Sequence, residues 1–390
     1  MIKNIIILLV VILCNIQSVT AQTKVEKKVT SDSLKNYVQN IIKAHNMVGV
    51  QVAVVSSTET INLGAFGRKK LDGDSLEISD KMHLGSCGKA MTGYLAGILV
   101  EKKILRWDST LEEIFPELVQ TMNKKFRKVT LSDLLSHQSK LPQFFTDEEW
   151  KILSRFTEKN PQKRRYNFTK WVLSQKPIPF KKENRKAGFR YSNAGYGVAA
   201  AMIEKATNKE WEKLMQEEVF LPLQMNVTFG WAAREDIQQP WGHIFDKEKN
   251  ILIAHNPNSE YQVDSILSPA GNMSMSVVDY SKFIQKNLLG LNGLDKEYNK
   301  EFYDYLHYVN IKKSEYSIGW YSIHQSDKNN PFDDMVSTHS GSADTFFCIN
   351  FLLPKHNIAI LLIANSANEE TQIGLKKIRN YLLRNYVEMK

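Results

Sequence analysis

The stretch Met82-His83-Leu84-Gly85-Ser86-Cys87-Gly88-Lys89-Ala90-Met91-Thr92-Gly93 reads as a short turn that runs straight into a helix. Tyr94, Leu95, Ile98, Leu99 and Val100 continue it with apolar residues at helical spacing. Ser86 stands at the mouth of that helix and Lys89 three residues further on, so both occupy one face and the amine can reach the hydroxyl. A hydroxyl is a poor nucleophile until a neighbour takes its proton. Ser-x-x-Lys supplies the hydroxyl, the neighbour and the N–H groups of a helix N-terminus at one place. Alone, the pattern equally describes a helix N-cap followed by a solvated lysine. A phosphate-binding loop is excluded at both ends: its first glycine would fall at His83, and Ala90 stands where a Ser or Thr should follow the lysine.

Two later stretches offer partners for Ser86. In Phe189-Arg190-Tyr191-Ser192-Asn193-Ala194-Gly195-Tyr196, a Tyr and an Asn two apart just before a helix can point into one cleft. A lysine cation beside Tyr191 would push its hydroxyl, ordinarily near pKa 10, toward phenolate and make it a general base. Asn193 can donate to a substrate carbonyl and also hold Lys89. The second stretch is Ser337-Thr338-His339-Ser340-Gly341-Ser342, which precedes or begins the strand Phe346 to Leu353. A glycine on a strand edge lets a substrate backbone approach, and a following N–H could complete an oxyanion hole with that of Ser86. His339 reads as a proton handler or a hydrogen-bond donor, against the plainer reading of a solvated surface histidine.

The remainder of the chain supplies a scaffold. It has 390 residues, 43% hydrophobic and 24% charged, ample for a large core in one big domain or two. Ser31 to Asn46 reads as an amphipathic helix, and Val48 to Val55 and Thr60 to Phe66 as a β-hairpin, followed by a polar connector over Gly67 to Asp80. From Leu105 to Gln224 the pattern is mostly helical, with helices over Thr130 to Leu135, Trp150 to Phe156, Phe168 to Ser174, Gly195 to Ala206 and Trp211 to Val219. Thr130 and Asp133 form a capping box. Strands return at Tyr316 to His324, Phe346 to Leu353 and Ile358 to Ala364, and Glu370 to Glu388 closes the chain as a helix. The expected fold is therefore α/β (α+β): an antiparallel sheet built from both termini and flanked by helices, with an inserted mostly helical subdomain. The sheet part covers about 30–85 and 265–390, and the helical part about 86–264.

Lys3, the apolar run Ile5 to Leu13 and the small-residue site Val19-Thr20-Ala21 read as a signal peptide over residues 1–21, giving an exported protein that starts near Gln22. Periplasmic or secreted placement follows. Lipid anchoring at Cys14 ranks below this, because bulky Leu13 precedes the cysteine. No later segment is apolar enough to span a membrane. Cys87 and Cys348 remain, too few for a disulfide scaffold, and read as buried thiols. The net charge of +9 gathers in Lys124 to Lys128, Lys163-Arg164-Arg165 and Lys181 to Lys186, which suit a solvated face better than an anionic polymer. No zinc finger, RNA-binding signature or aromatic-basic alternation supports nucleic acid binding. The nine histidines show no His-Glu-x-x-His cluster, and there is no Gly-x-Ser-x-Gly elbow. A thiol nucleophile at Cys87 is disfavoured, since one helical step turns it roughly 100° away from Ser86. Asn167, Asn226 and Asn272 head glycosylation triplets that matter only in a eukaryotic secretory path.

Taken together, these residues resemble the serine β-lactamase and penicillin-binding protein superfamily, in its β-lactamase-related, class C-like branch. Ser86-Cys87-Gly88-Lys89 looks like S-x-x-K, Tyr191-Ser192-Asn193 like Y-x-N, and His339-Ser340-Gly341 like the third motif in its H-x-G form. Leu134 to Pro142, Val219 to Met225 and Ser268 to Met273 look similar to accompanying stretches, so the likeness covers nearly the whole of residues 22–390 as one catalytic domain. The resemblance implies that Ser86 is acylated, Lys89 takes or relays its proton, and Tyr191 is general base. It implies that Asn193, His339, Ser340, Gly341 and Ser342 form the substrate-binding wall, with the N–H groups of Ser86 and Ser342 as oxyanion hole. No metal or organic cofactor is implied. The substrate would be a small molecule or a peptide, cell-wall peptide included. The chain departs from the pattern at Lys140, where a glycine is usual, and at His339, where a fixed lysine cation would hold a substrate carboxylate. Histidine is largely neutral at pH 7, which tilts the expectation toward esters or short peptides. A β-lactamase proper, and a binding protein that keeps the fold without the chemistry, stand as alternatives. The sequence sets neither the natural substrate nor the oligomeric state.

Overall fold

The computed structural model describes residues 30–182, 188–259, 263–310, 314–324, 332 and 334–387. The expected leader, Cys14, Arg185, Lys186 and Glu388 lie outside the described residues.

Strands β1 (Gly49–Val55) and β2 (Thr60–Gly67) form the early hairpin, and β3 (Met82–His83) leads into the Ser86 turn. Short strands β4 (Thr228–Phe229), β5 (His243–Asp246), β6 (Ile251–Ala254) and β7 (Met273–Met275) follow. Then come β8 (Tyr321–Ile323), β9 (Val336–Ser342), β10 (Phe347–Leu353) and β11 (Ile358–Ala364). The main sheet has the order β2-β1-β11-β10-β9-β8 and is antiparallel throughout, so the first strands of the chain pair with the last. Val50 lies opposite Ala364 and Val55 opposite Ala359.

Both faces of this sheet are covered, which is why β1 and β11 read as unbroken apolar runs rather than alternating ones: all seven residues of each are buried. Val50, Val52 and Val54 pack with Ile360 and Leu362 against the terminal helices α1 (Ser31–Ala44) and α11 (Glu369–Tyr386). Tyr37 and Tyr381 stack across those two helices at 4.0 Å. Ala53, Val55, Leu361 and Ile363 belong to the larger core on the other face. That core includes Leu95 of α2 (Lys89–Glu101), Phe283 of α9 (Val277–Leu291) and Leu306 of α10 (Lys300–Tyr308). Each aliphatic side chain buried this way contributes about 1.5–3 kcal/mol.

The intervening helices are α3 (Leu111–Ile114), α4 (Leu131–Leu135), α5 (Asp147–Leu153), α6 (Pro161–Ser174), α7 (Asn193–Thr207) and α8 (Trp211–Leu214). Arg165, fully buried, joins three of them by pairing with Glu204 of α7 and Glu212 beyond it. The capping box of Thr130 and Asp133 is present. Other boundaries shift for local reasons. Helix α6 starts at Pro161 rather than Phe168, because Asn160 caps it and proline suits its first turn. The helix from Trp211 continues as a π-helical segment over Met215–Phe220. The strand expected over Tyr316 to His324 shrinks to Tyr321–Ile323, since Gly319 at φ +82° turns the chain against α2. The largest departure is β9. Ser337 to Ser342 carries few apolar residues, yet it forms a full strand because β10 pairs with it from Ser342↔Phe347 to Ser337↔Leu352. The region 86–264 also contains the two-stranded β5–β6 sheet among its helices.

Candidate active site

The Ser86 turn is held from three sides. Below it, β3 pairs with β7, and His83 Nδ1 accepts the N–H of Gly85 at 3.1 Å. That leaves His83 Nε2–H to donate to Asn272 Oδ1 at 3.0 Å. Burial lowers the His83 pKa to about 4, so the ring stays neutral and keeps this tautomer. On one flank lies β9. Strand β8 pairs only with Val336 to Thr338, so the edge from His339 to Ser342 is open to the turn. A side chain on Gly341 would come within 2.0 Å of Leu84 O and 2.7 Å of Ser86 N. On the other flank a side chain on Gly271 would come within 2.0 Å of Gly85 O. Gly85 itself, at φ +53°, abuts the backbone of Ser342, which brings the Ser342 and Ser86 segments together. Neither glycine flank tolerates a Cβ.

Lys89 is fully buried at the start of α2. Its Nζ lies 2.7 Å from Ala270 O, 2.8 Å from Asn193 Oδ1 and 3.1 Å from Ser86 Oγ. The first two are carbonyl oxygens and can only accept. Burial holds the amine well below its usual pKa of 10.5. A neutral amine has two N–H groups and one lone pair. When the amine is neutral, the two carbonyls take its N–H groups and its lone pair faces the Ser86 hydroxyl.

Asn193 begins α7, whose cap is Ser192: its Oγ accepts from Gly195 N at 3.0 Å and donates to Pro142 O at 2.5 Å. Asn193 Nδ2 donates to Phe144 O at 3.1 Å, so the amide is oriented before any ligand arrives. The Tyr191 hydroxyl faces Ser86, which acts to lower its pKa. Its ring lies between His137, at 4.1 Å, and Phe145, at 5.4 Å, with Lys89 Nζ 4.8 Å from its centre. Burial runs against the phenolate expected from the sequence. Burial raises the Tyr191 pKa well above 10 and lowers that of the amine beside it.

His339 sits on β9 and is 2% exposed, not solvated. Its Nδ1 lies 2.6 Å from Ser340 O, which can only accept, so Nδ1 carries the proton. Nε2 then accepts the Tyr316 hydroxyl at 3.2 Å. The ring thus faces Tyr316 and its own strand. Ser340 is exposed on the opposite face of β9, and Ser342 lines the cavity beside Ser86 while His339 does not. Cys87 points away from that cavity, its Sγ donating toward His339 O at 3.5 Å, and both Cys87 and Cys348 are buried free thiols.

Sequence reasoning gave no role to His137, Phe145, Ala270 or Tyr316. His137, in the left-handed region at φ +61°, accepts Ser192 N–H through Nδ1 at 3.1 Å and so sets the Tyr191–Asn193 segment. Burial, helped by Lys89, lowers its pKa well below 6.5. The stretches Leu134 to Pro142 and Ser268 to Met273 marked two of these positions by likeness, without the contacts. Among the described residues no group of three or more His, Cys, Asp or Glu could hold a metal, and no helix is long and apolar enough to cross a membrane.

The β-lactamase family model matches residues 34–382. The chain belongs to the β-lactamase family. Family relatives are distant. The protein flp of Staphylococcus aureus (strain MW2) is 21% identical over 364 residues, a match that takes in 88% of this chain and 65% of flp. Penicillin-binding protein 4* of Bacillus subtilis is 22% identical, with 79% and 66% covered. The chain therefore spans about two thirds of the length of these curated relatives. In structure, family neighbours include the octameric penicillin-binding protein homologue from Pyrococcus abyssi, with TM-score 0.69, 19% identity and 91% and 78% coverage. A class C β-lactamase from Rhodobacter sphaeroides has TM-score 0.65 at 15% identity, covering 90% of this chain and 100% of that one.

Proposed function

We propose that this β-lactamase-family chain is an exported serine hydrolase, periplasmic or secreted, acting through an acyl-Ser86 intermediate on an amide or ester bond. Its substrate is a D-amino-acid or cell-wall peptide, an ester, or weakly a β-lactam. The observation that carries the reading is Lys89, a buried amine whose two N–H groups are engaged by Asn193 and Ala270 and whose Nζ lies 3.1 Å from Ser86 Oγ. Ser86 gives its proton to that lone pair, and Oγ bonds to the substrate carbonyl carbon. Negative charge on the carbonyl oxygen meets the N–H groups of Ser86 and Ser342. Tyr191, a phenol, hands its proton to the departing amine or alcohol and is reprotonated from Lys89. Water then attacks the acyl-serine carbonyl with Tyr191 and Lys89 in the reverse sequence, releasing the acid and restoring Ser86. The inward-turned His339 presents no cation to the cavity for a substrate carboxylate, which favours esters and peptides over β-lactams.

The test is labelling of the purified protein by a fluorophosphonate probe and by a fluorescent penicillin, with Ser86→Ala as control. Fluorophosphonate labelling that Ser86→Ala abolishes is expected. Stable penicillin labelling would favour a penicillin-binding peptidase, and labelling by neither probe would overturn the hydrolase reading in favour of a binding protein.

A further inference from the structure

Phe145 is 54% exposed, an unusual position for a phenylalanine that lies beside a nucleophile. The chain reaches it through Phe144, whose φ of +55° is costly for a side-chain-bearing residue. That turn aims the Phe144 carbonyl at two donors, Asn193 Nδ2 at 3.1 Å and Trp150 Nε1 at 3.2 Å. It also sends the Phe145 ring out over Tyr191. Phe145 and Trp150, together with Val263, Leu267 and Ala270, wall a cavity of about 150 Å³ that reaches Ser86 and Asn193. An apolar cavity of roughly that volume takes up one benzene ring in a protein core. No lysine or arginine lines it among the described residues, and its rim carries Asp344.

A purely structural role is available for the pair. Thr146 caps α5, so Phe145 and Trp150 stand at the N′ and N4 positions, where apolar residues staple a helix entry. A staple alone would bury both rings. Phe145 instead stays half exposed, lines the cavity and stacks on Tyr191.

The geometry points to a side-chain pocket, walled by Phe145 and Trp150, that selects substrates carrying a benzene-sized apolar group next to the carbonyl that Ser86 attacks. This rests on the hydrolase reading for its substrate, but the pocket can be tested without turnover. In the Ser86→Ala protein, phenylacetamide should bind roughly tenfold or more tightly than acetamide in ligand-observed NMR titrations. Adding Phe145→Ala should remove the difference, and Phe145→Tyr should keep it. In the active protein, p-nitrophenyl phenylacetate should exceed p-nitrophenyl acetate in kcat/KM by a similar factor, and Phe145→Ala should collapse that ratio. Equal binding of the two amides, or a preference that survives Phe145→Ala, would overturn the pocket. So would a Phe145→Ala variant that lowers thermal stability while leaving both preferences intact, the signature of a staple alone. Selective binding without ester turnover would retain the pocket and defeat the hydrolase reading instead.

Discussion

Lys89 on α2 and His339 on β9 are both buried nitrogen bases beside the Ser86 turn. Lys89 turns toward Ser86, with both N–H groups accepted by carbonyls from elsewhere in the chain. His339 turns away from the cavity, with its proton on Ser340 O and its free nitrogen receiving the Tyr316 hydroxyl. Burial lowers the pKa of the Lys89 amine. What separates the two is where the remaining lone pair points: in Lys89 it faces a hydroxyl that can react, and in His339 a phenol that merely donates. On the side of α2 the basic nitrogen faces the Ser86 hydroxyl, whereas on β9 it faces away from it.

Four measurements would break or sharpen that contrast. The largest effect is expected at Lys89. Lys89→Ala should lower the rate of fluorophosphonate labelling of Ser86 by about 10³-fold or more. In the unsubstituted protein that rate should fall as pH falls through the depressed Lys89 pKa, because the amine then binds a proton and loses its lone pair. His339→Gln should leave this acid limb in place. If His339→Gln removes it instead, the assignment of the two bases is reversed.

The same preference for neutral nitrogen should show in stability. Burial lowers the pKa of His83 to about 4, His243 to about 4 and His307 to about 3. Between those values and the unfolded value near 6.5 the unfolded chain binds more protons, so stability is complete above pH 6.5 and is lost as pH falls. Unfolding free energies from urea titrations should drop between pH 7 and pH 4.5, by about 2 kcal/mol for each group, with lower midpoints. An unchanged midpoint would show these rings are not held neutral by the fold.

On the strand side, Gly341→Ala should push β9 off the turn, since its Cβ would sit 2.0 Å from Leu84 O. Labelling should slow by roughly 10²-fold, with a lowered melting temperature. Normal labelling would mean that β9 does not position Ser86. The smallest effect is expected for His339→Lys. It should raise the rate on a chromogenic cephalosporin relative to a p-nitrophenyl ester by about tenfold, by restoring a cation for the carboxylate. The idea fails if the unsubstituted protein already turns over the cephalosporin far faster than the ester.

Much of the architecture was legible because it is written locally. The pairing of Ser86 with Lys89 follows from helical spacing, and β1, β2 and β11 follow from their apolar runs. Strand β9 was not legible as a strand, because Ser337 to Ser342 has no apolar alternation of its own and takes its form from β10. Nor were Phe145 and Trp150, whose importance depends on a left-handed Phe144 that no residue pattern announces.

By itself, the sequence determined that a hydroxyl and an amine meet at the mouth of one helix, within a sheet assembled from the two ends of the chain. It also marked Tyr191, Asn193 and Gly341 as company for them. Only the tertiary structure decided the surroundings that shift the protonation of Lys89 and Tyr191. Lys89 meets Asn193 across 104 positions and Ala270 across 181, and those distant carbonyls, with the loss of solvent, settle where its protons go. Burial likewise raises the Tyr191 pKa, and Tyr316 keeps His339 turned from the cavity. Local spacing can bring two groups to one face; desolvation and long-range partners determine their charge.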